Sequence, residues 1–272
     1  MAAAAARSPR GGHGVSFADE LRRASTAVAA AFEVLRRHAA LPSEYARKHD
    51  GGLVTAADHE VDDLLRGMLP QAGDGWLSEE TVDDARRLQC ARVWVVDPLD
   101  GTRAFVARRP EYSVSVALLV DGVPVLGVVG NPATDVVVAG GPGLGLSIHG
   151  SPESGFGADD ARLRLLVSRS EWRRGEWAHL DAAVQLRPCG SVAYELALVA
   201  AGCADATVTL HPKHEWDVAA GAALVAAAGG ETWLPRGGHL LWNRSRPRFL
   251  SFAAAGPGGR RELARAWPTS GR

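Results

Sequence analysis

Apolar residues recur at helical spacing in two early stretches. Leu21, Val28, Phe32 and Leu35 share one face of a helix predicted from Ser16 to about Ala39, with Ser16-Phe17-Ala18-Asp19 as its capping box. Thr55-Ala56-Ala57-Asp58 is a second capping box; its helix turns Val61, Leu64, Leu65 and Met68 inward and stops near Pro70. A polar loop, Leu41–Leu53, is predicted between them. The period then shortens to two. Val93–Val96 is a buried strand, and Tyr112–Val120 alternates Val114, Val116 and Leu118 with Ser113, Ser115 and Ala117. Asp121-Gly122 reverses the chain into Val123–Val129 as a hairpin. Asp135–Ala139 is a further strand, and the Gly/Ser/Pro-rich stretch Gly140–Gly157 marks a subdomain boundary. Beyond it, strands at Arg164–Val167 and Asp205–Leu210 alternate with helices at Ser191–Ala201 and Trp216–Ala228, the last ended by Gly229-Gly230. This order predicts α+β, or layered α/β with mixed sheets.

The division expected is a disordered tail (1–15), an N-terminal α+β subdomain (16–150) and a C-terminal α/β subdomain (151–272). The 272 residues suffice for one large domain or two small ones sharing a core. Lys+Arg 30 against Asp+Glu 31 leaves a net charge of −1, which argues against a nucleic-acid partner or a polybasic membrane anchor. No apolar run reaches spanning length, so no membrane association is expected. Cys90, Cys189 and Cys203 are scattered, without a CxxC pair, and fit a reducing cytoplasm.

The candidate chemistry begins where the Val93–Val96 strand runs into Asp97-Pro98-Leu99-Asp100-Gly101-Thr102. Pro98 fixes φ and removes a donor, and Gly101 permits a backbone shape closed to side chains. Two carboxylates and the Leu99 carbonyl can then aim at one point, as oxygen ligands for a hard divalent cation, magnesium first. The same residues also suit a plain Asp-rich turn. Glu79 and Glu80 follow an apolar pair, and Asp217 opens a helix where its dipole favours a carboxylate. Asp58 has an equally sufficient role inside its capping box. His211 and His214 lie near Asp217, but magnesium prefers oxygen, so neither is taken as a ligand.

Taken jointly, these segments resemble the inositol monophosphatase superfamily, the magnesium-dependent, lithium-sensitive phosphomonoesterases. Its three-part signature stands in order: Leu77-Ser78-Glu79-Glu80, Asp97-Pro98-Leu99-Asp100-Gly101-Thr102 and Trp216-Asp217-Val218-Ala219-Ala220-Gly221. An upstream element, Lys48, Asp50 and Val54-Thr55-Ala56-Ala57-Asp58, also matches, and the likeness runs from about Lys48 to Ala255. The resemblance implies an αβαβα sandwich of the inositol monophosphatase/fructose-1,6-bisphosphatase type. It implies that Glu79, Asp97, the Leu99 carbonyl, Asp100 and Asp217 hold two or three magnesium ions. Asp58, Thr102 and Glu79 would serve catalysis, with Asp58 and Thr102 positioning the attacking water. Gly101 and Thr102 would offer backbone N–H groups to the phosphate.

The likeness is nearest the bacterial 3′(2′),5′-bisphosphate nucleotidase branch, on Lys48-x-Asp50, Gly101-Thr102-Arg103-x-Phe105 and Pro212-Lys213-His214-Glu215-Trp216-Asp217. Two positions depart from that branch: Gly52-Leu53 replaces Ser-Pro, and Ala104 replaces Glu. In inositol monophosphatases a glutamate seven residues before the third-motif Asp meets the inositol hydroxyls; here that position is Leu210. The substrate expected is therefore a small phosphate ester, 3′-phosphoadenosine 5′-phosphate cleaved to AMP and phosphate. Inositol, sugar, histidinol or specialised-metabolite phosphates are the alternatives, and a non-catalytic magnesium- or phosphate-binding regulator is the remote one. Lys48, Arg103, Gly190, Ser191 and Lys213 are the candidate substrate contacts, with Arg169 a further basic candidate for a second phosphate. Homodimers are common in the family, but no interface is identifiable in the sequence.

Overall fold

The computed structural model describes residues 16–41, 44–48, 51–153, 155–157, 162–180 and 184–267. The expected disordered tail and Asp50 lie outside these residues. Along the chain run α1 (Ala18–Ala39), β1 (Tyr45–Arg47), β2 (Leu53–Thr55), α2 (Ala56–Met68), β3 (Gly75–Ser78) and β4 (Arg92–Asp100). Then come α3 (Thr102–Val106), β5 (Ser113–Val120), β6 (Val123–Asn131), β7 (Val136–Gly141), β8 (Gly145–His149), β9 (Leu163–Ser168) and α4 (Arg169–Arg173). The last third holds β10 (Val184–Cys189), α5 (Val192–Ala200), β11 (Ala206–Thr209), β12 (Lys213–His214), α6 (Glu215–Ala227), β13 (Glu231–Trp233), β14 (Arg248–Phe249), β15 (Phe252–Ala255) and α7 (Gly259–Ala266).

Strand period two sorts the apolar residues into layers. On β4, Trp94 and Val96 join Val114, Val116 and Leu118 of β5 against Val28, Phe32 and Leu35 of α1 and Val61 and Leu65 of α2. Their neighbours Val93, Val95, Ala117 and Leu119 point the other way, onto Leu196 of α5 and Val218, Ala219 and Leu224 of α6. That core also takes in Leu166, Phe252 and Ala254 of a second sheet, whose far face packs Leu165, Val167, Val208 and Ala253 against Trp177, Leu180 and Leu263 of α7. The result is helix, sheet, helix, sheet, helix, the αβαβα layering expected. The first sheet has order β3-β4-β5-β6-β7-β8, parallel only at β3–β4; the second has order β10-β9-β11-β15-β13, with β10, β9 and β11 parallel. The Ala-rich α6 sits deep because small residues let backbones meet. A Cβ on Gly127 of β6 would fall 2.2 Å from the Ala220 carbonyl oxygen.

Several expectations are corrected. The Ser16–Asp19 capping box does not form: α1 starts after Phe17, which supplies no side-chain cap, and Asp19 pairs with Arg22 at 2.6 Å. The Thr55 box does form, with Asp58 Oδ2 accepting from the Thr55 backbone N–H at 2.8 Å. Residues 41–53 are not all loop, since β1 and β2 pair as an antiparallel hairpin. The first part of the Gly140–Gly157 stretch continues the sheet, with β8 pairing to β7. Among the described residues no helix is long and apolar enough to cross a membrane, and the three cysteines are free.

Candidate active site

The strand β4 does not stop at Val96. It runs on through Asp100, and its pairing with β5 slips there: Asp97 meets Ser115 and Asp100 meets Ser113, so Pro98 and Leu99 stand opposite Val114 alone. This bulge has two consequences. Pro98 has no N–H to give, and a bulge is where a strand tolerates that loss. Residues three apart on a regular strand face opposite sides; one extra residue restores the parity, so Asp97 and Asp100 turn to the same side. The chain then bends at Gly101, where φ is +95° and a Cβ would lie 2.9 Å from the Glu111 carbonyl oxygen. A side chain has no room there.

Three elements bring carboxylates to this point. Glu79 follows β3, Asp97 lies on β4 and Asp217 lies in the first turn of α6; one oxygen from each falls within 4.8 Å of the others. Asp97 is buried, and burial together with Glu79, Asp100, Asp217 and Asp58 pushes its carboxyl well up from the usual range. Asp100 is pushed up to about 7, first by burial and then by Asp217. Asp217 is pushed up to about 6 by burial and Glu79, against the pull of Lys213 and Lys48. Acids held this way are short of positive charge. The donors are all oxygens, the chemistry that suits a hard divalent cation and not a soft one.

The remaining expected residues surround this cluster. Asp97 Oδ1 accepts from the Leu99 N–H at 3.0 Å. The Thr102 hydroxyl lies 3.1 Å from both Asp58 Oδ1 and the Leu99 carbonyl oxygen, and its one proton can serve either. Asp58 is buried, which raises its pKa against the hydrogen bonds from Thr55. Lys48 Nζ donates to Glu79 Oε1 and Glu80 Oε1, each at 2.6 Å. Burial opposes the Lys48 charge, but the two glutamates outweigh it and its pKa rises. Asp100 Oδ2 accepts from the Ser191 hydroxyl and the Ala193 N–H, both at 2.7 Å, which ties the bulge to the start of α5. Gly190 sits just before, with its own Cβ position 2.7 Å from the Glu111 carbonyl oxygen. Lys213 is half-buried and opposes the pKa rise of Asp100 and Asp217. Two basic candidates stand apart from the acids: Arg103 is exposed and donates to the Gly51 carbonyl at 3.2 Å, while Arg169 pairs with Glu111.

Some supporting residues were not singled out from the sequence. Asp62 of α2 accepts from Ser78 and from Thr81, the latter at 2.6 Å, and so steadies the segment carrying Glu79 and Glu80. Ser113 and Ser115, fully buried among valines, reach across to the Ser191 hydroxyl at 2.9 Å and the Trp216 carbonyl at 3.2 Å. Glu215 accepts from the Asn243 and Arg244 N–H groups at 2.8 and 3.1 Å, beside Asp217. A buried hydroxyl alternating with valines was the one available signal; the partners of Asp62 and Glu215 are too distant in sequence to give any.

The model of the inositol monophosphatase family matches residues 18–258. The chain belongs to the inositol monophosphatase family. It is 37% identical over 198 residues to the 3′(2′),5′-bisphosphate nucleotidase CysQ of Salmonella typhimurium, covering 70% of this chain and 79% of that one. It is 38% identical over 202 residues to an inositol-1-monophosphatase of Mycobacterium leprae, covering 67% and 68%. The crystal structure of CysQ from Bacteroides thetaiotaomicron superposes with a TM-score of 0.74 at 27% identity, over 88% of this chain and 98% of that one. As a member of the inositol monophosphatase family, the chain is a phosphoric monoester hydrolase.

Proposed function

We propose that the protein hydrolyses 3′-phosphoadenosine 5′-phosphate to AMP and phosphate with magnesium. The observation that carries the hydrolytic reading is the convergence of Glu79, Asp97 and Asp217 within 4.8 Å. The likeness to the bisphosphate nucleotidase CysQ, and Leu210 in place of a hydroxyl-binding glutamate, support the nucleotide over inositol phosphate.

Glu79, Asp97, the Leu99 carbonyl, Asp100 and Asp217 would hold two or three magnesium ions. Magnesium bound there would supply the charge that makes water nucleophilic at neutral pH and offsets the phosphate. Asp58 and Thr102 orient the attacking water, and Asp58 accepts its proton; Glu79 assists. As the new P–O bond forms, the ester P–O bond opposite breaks and the departing oxygen takes a proton from solvent. Gly101 and Thr102 present backbone N–H groups to the phosphate. Lys48, Arg103, Gly190, Ser191 and Lys213 bind the rest of the substrate. We assign residues 16–150 and 151–272 to two subdomains, the second lending Asp217, and the protein to the cytoplasm.

Phosphate release from a panel of esters tests the substrate. We expect 3′-phosphoadenosine 5′-phosphate to turn over faster than inositol 1-phosphate, histidinol phosphate or sugar phosphates. Faster release from inositol 1-phosphate would overturn the preference and favour the reading suggested by the Mycobacterium leprae relative. Comparable release from every ester would leave the enzyme without the nucleotide preference proposed.

A further inference from the structure

Glu79 and Asp217 come from opposite halves of the chain, yet an oxygen of each stands within 4.8 Å of the other. Two carboxylates do not draw each other in. Apolar packing brings α6 close to the first sheet, but it is non-directional and does not by itself key the first turn of the helix. A buried polar contact joins the two segments that carry these acids.

Arg87 anchors it on the Glu79 side. It lies in a turn of 3-10 helix, Arg86–Gln89, and is buried against the start of β3, where a Cβ on Gly75 would fall 2.9 Å from the Arg87 Cβ. Its Nε and Nη2 donate to the two Asp83 oxygens at 3.1 and 2.7 Å. Its Nη1 donates to Asn243 Oδ1 at 2.6 Å, and Nη2 also reaches the Arg244 carbonyl at 2.9 Å. Asn243 Nδ2 in turn donates to the Arg87 carbonyl at 3.2 Å, so one amide grips Arg87 by side chain and by backbone. Glu215, the first residue of α6, holds the same loop from the other side. Its two oxygens accept from the Asn243 and Arg244 N–H groups, and its own N–H donates to the Pro247 carbonyl at 2.9 Å. The bonds thus run without a break from Arg87, on the start of β3, to the helix turn that carries Asp217.

Two features point past simple cohesion. Arg87 and Glu215 are buried charges, and removing such groups from water costs about what their pairing returns; fixing register is their best-attested use. Asn243 has φ +55°, a left-handed backbone that asparagine tolerates better than most side chains. In that conformation its N–H serves Glu215 while its amide serves Arg87.

We propose that Arg87, Asn243 and Glu215 are positioning residues for the metal site: they register the first turn of α6 against β3, so that Glu79 and Asp217 address one cation. The inference rests on the magnesium reading for its consequence.

The test is Asn243→Gly, which keeps the left-handed backbone and removes only the amide. Calorimetric titration of magnesium into EDTA-stripped protein should show at least one ion bound about 10–100-fold more weakly than in wild type. The magnesium needed for half-maximal phosphate release should rise by about the same factor, while the rate at saturating magnesium stays within about twofold. Leu263→Ala, in the core on the far face of the second sheet, controls for lost stability; it should melt lower and keep wild-type magnesium affinity. In EDTA, amide exchange in Asn243→Gly should quicken about tenfold in peptides 76–81 and 214–218 and stay native elsewhere. Should the glycine variant not fold, Asn243→Asp, which gives up only the bond to the Arg87 carbonyl, serves the same measurements with a smaller loss expected. Wild-type magnesium affinity in the folded variant would overturn the proposal. So would an equal weakening in Leu263→Ala. If wild type itself binds no magnesium, the metal reading fails by itself, while the exchange pattern in EDTA still decides whether this contact holds the two acids.

Discussion

Two clusters of like charge adjoin the Gly101–Gly190 turn, and they are built in opposite ways. The acids stand at the ends of elements rooted in the core: Glu79 after β3, Asp97 and Asp100 on the bulged end of β4, Asp217 in the first turn of α6. Packing on both faces of the sheet holds them together although burial and mutual repulsion push Asp97, Asp100 and Asp217 up in pKa. Arg103, Arg109, Arg169 and Arg173, which line a cavity of about 140 Å³ with Gly190, stand on or beside five-residue helices, α3 and α4, with Arg103 and Arg173 open to solvent. Apart from Arg169, whose Nε is buried without a partner, these charges stay near solvent and cost the fold little. The lesson is that the acids are held together by the core although they repel one another, an all-oxygen group that could hold a cation, while the arginines are gathered at the surface.

That contrast predicts unequal consequences. The largest follows from Asp97→Asn, which removes the carboxylate at the centre of the proposed metal site but keeps the shape. Magnesium-dependent phosphate release should fall more than about 100-fold, since even outer partners of metal ligands are worth about 10–100-fold. Circular dichroism and melting should remain native. Undiminished turnover would break the assignment of the acids.

Gly101→Ala comes next. At φ +95°, with the Glu111 carbonyl oxygen 2.9 Å from the added Cβ, the turn must shift. We expect a loss of ~1–3 kcal/mol in denaturant unfolding and a clear drop in kcat, because Asp100 and Thr102 flank the turn. A variant with wild-type stability and rate would show that the turn is not held as described.

The smallest effect belongs to a buried acid outside the ligand set. Glu195 on α5 accepts from Thr207 at 2.6 Å and is pushed up from 4.5 to about 8, mainly by burial, with Thr207 and Lys213 opposing and Glu171 and Asp100 adding to it. A carboxyl raised in the folded state stabilises while protonated, and that contribution drains as pH rises through the folded value. Glu195→Gln escapes the loss. Its melting temperature should gain on wild type between about pH 4.5 and 8, by a few degrees, and then stay level. A difference that does not vary with pH would mean that Glu195 is not titrating there.

Much of the acidic cluster was legible in the sequence because its signals are local. Asp97 to Thr102 is one unbroken motif, and the Thr55–Asp58 box is both a helix start and a site element. The bulge was not legible: the pattern ended the strand at Val96, and only pairing with Ser113 and Ser115 reveals that Asp97 and Asp100 share a side. The arginine cavity was legible only in part. Arg103 and Arg169 stood out as basic candidates near the motifs, but Arg109 and Arg173 lie in no motif, and only the fold places all four around one cavity. Elsewhere the misses share a cause. The exposed β1 has no apolar alternation, β8 is opened by Gly145, and the charged α7 buries only Gly259 and Leu263. Such elements are made by the neighbours they pair with, not by their own pattern.

The central claim is that Glu79, Asp97, Asp100 and Asp217 are a magnesium site before they are anything else. Calorimetric titration of magnesium into protein stripped with EDTA, beside Asp97→Asn treated identically, tests it most directly. Wild type should bind two or three ions with saturable heat, and the variant should lose at least one of them. Matching isotherms for the two proteins would contradict the account.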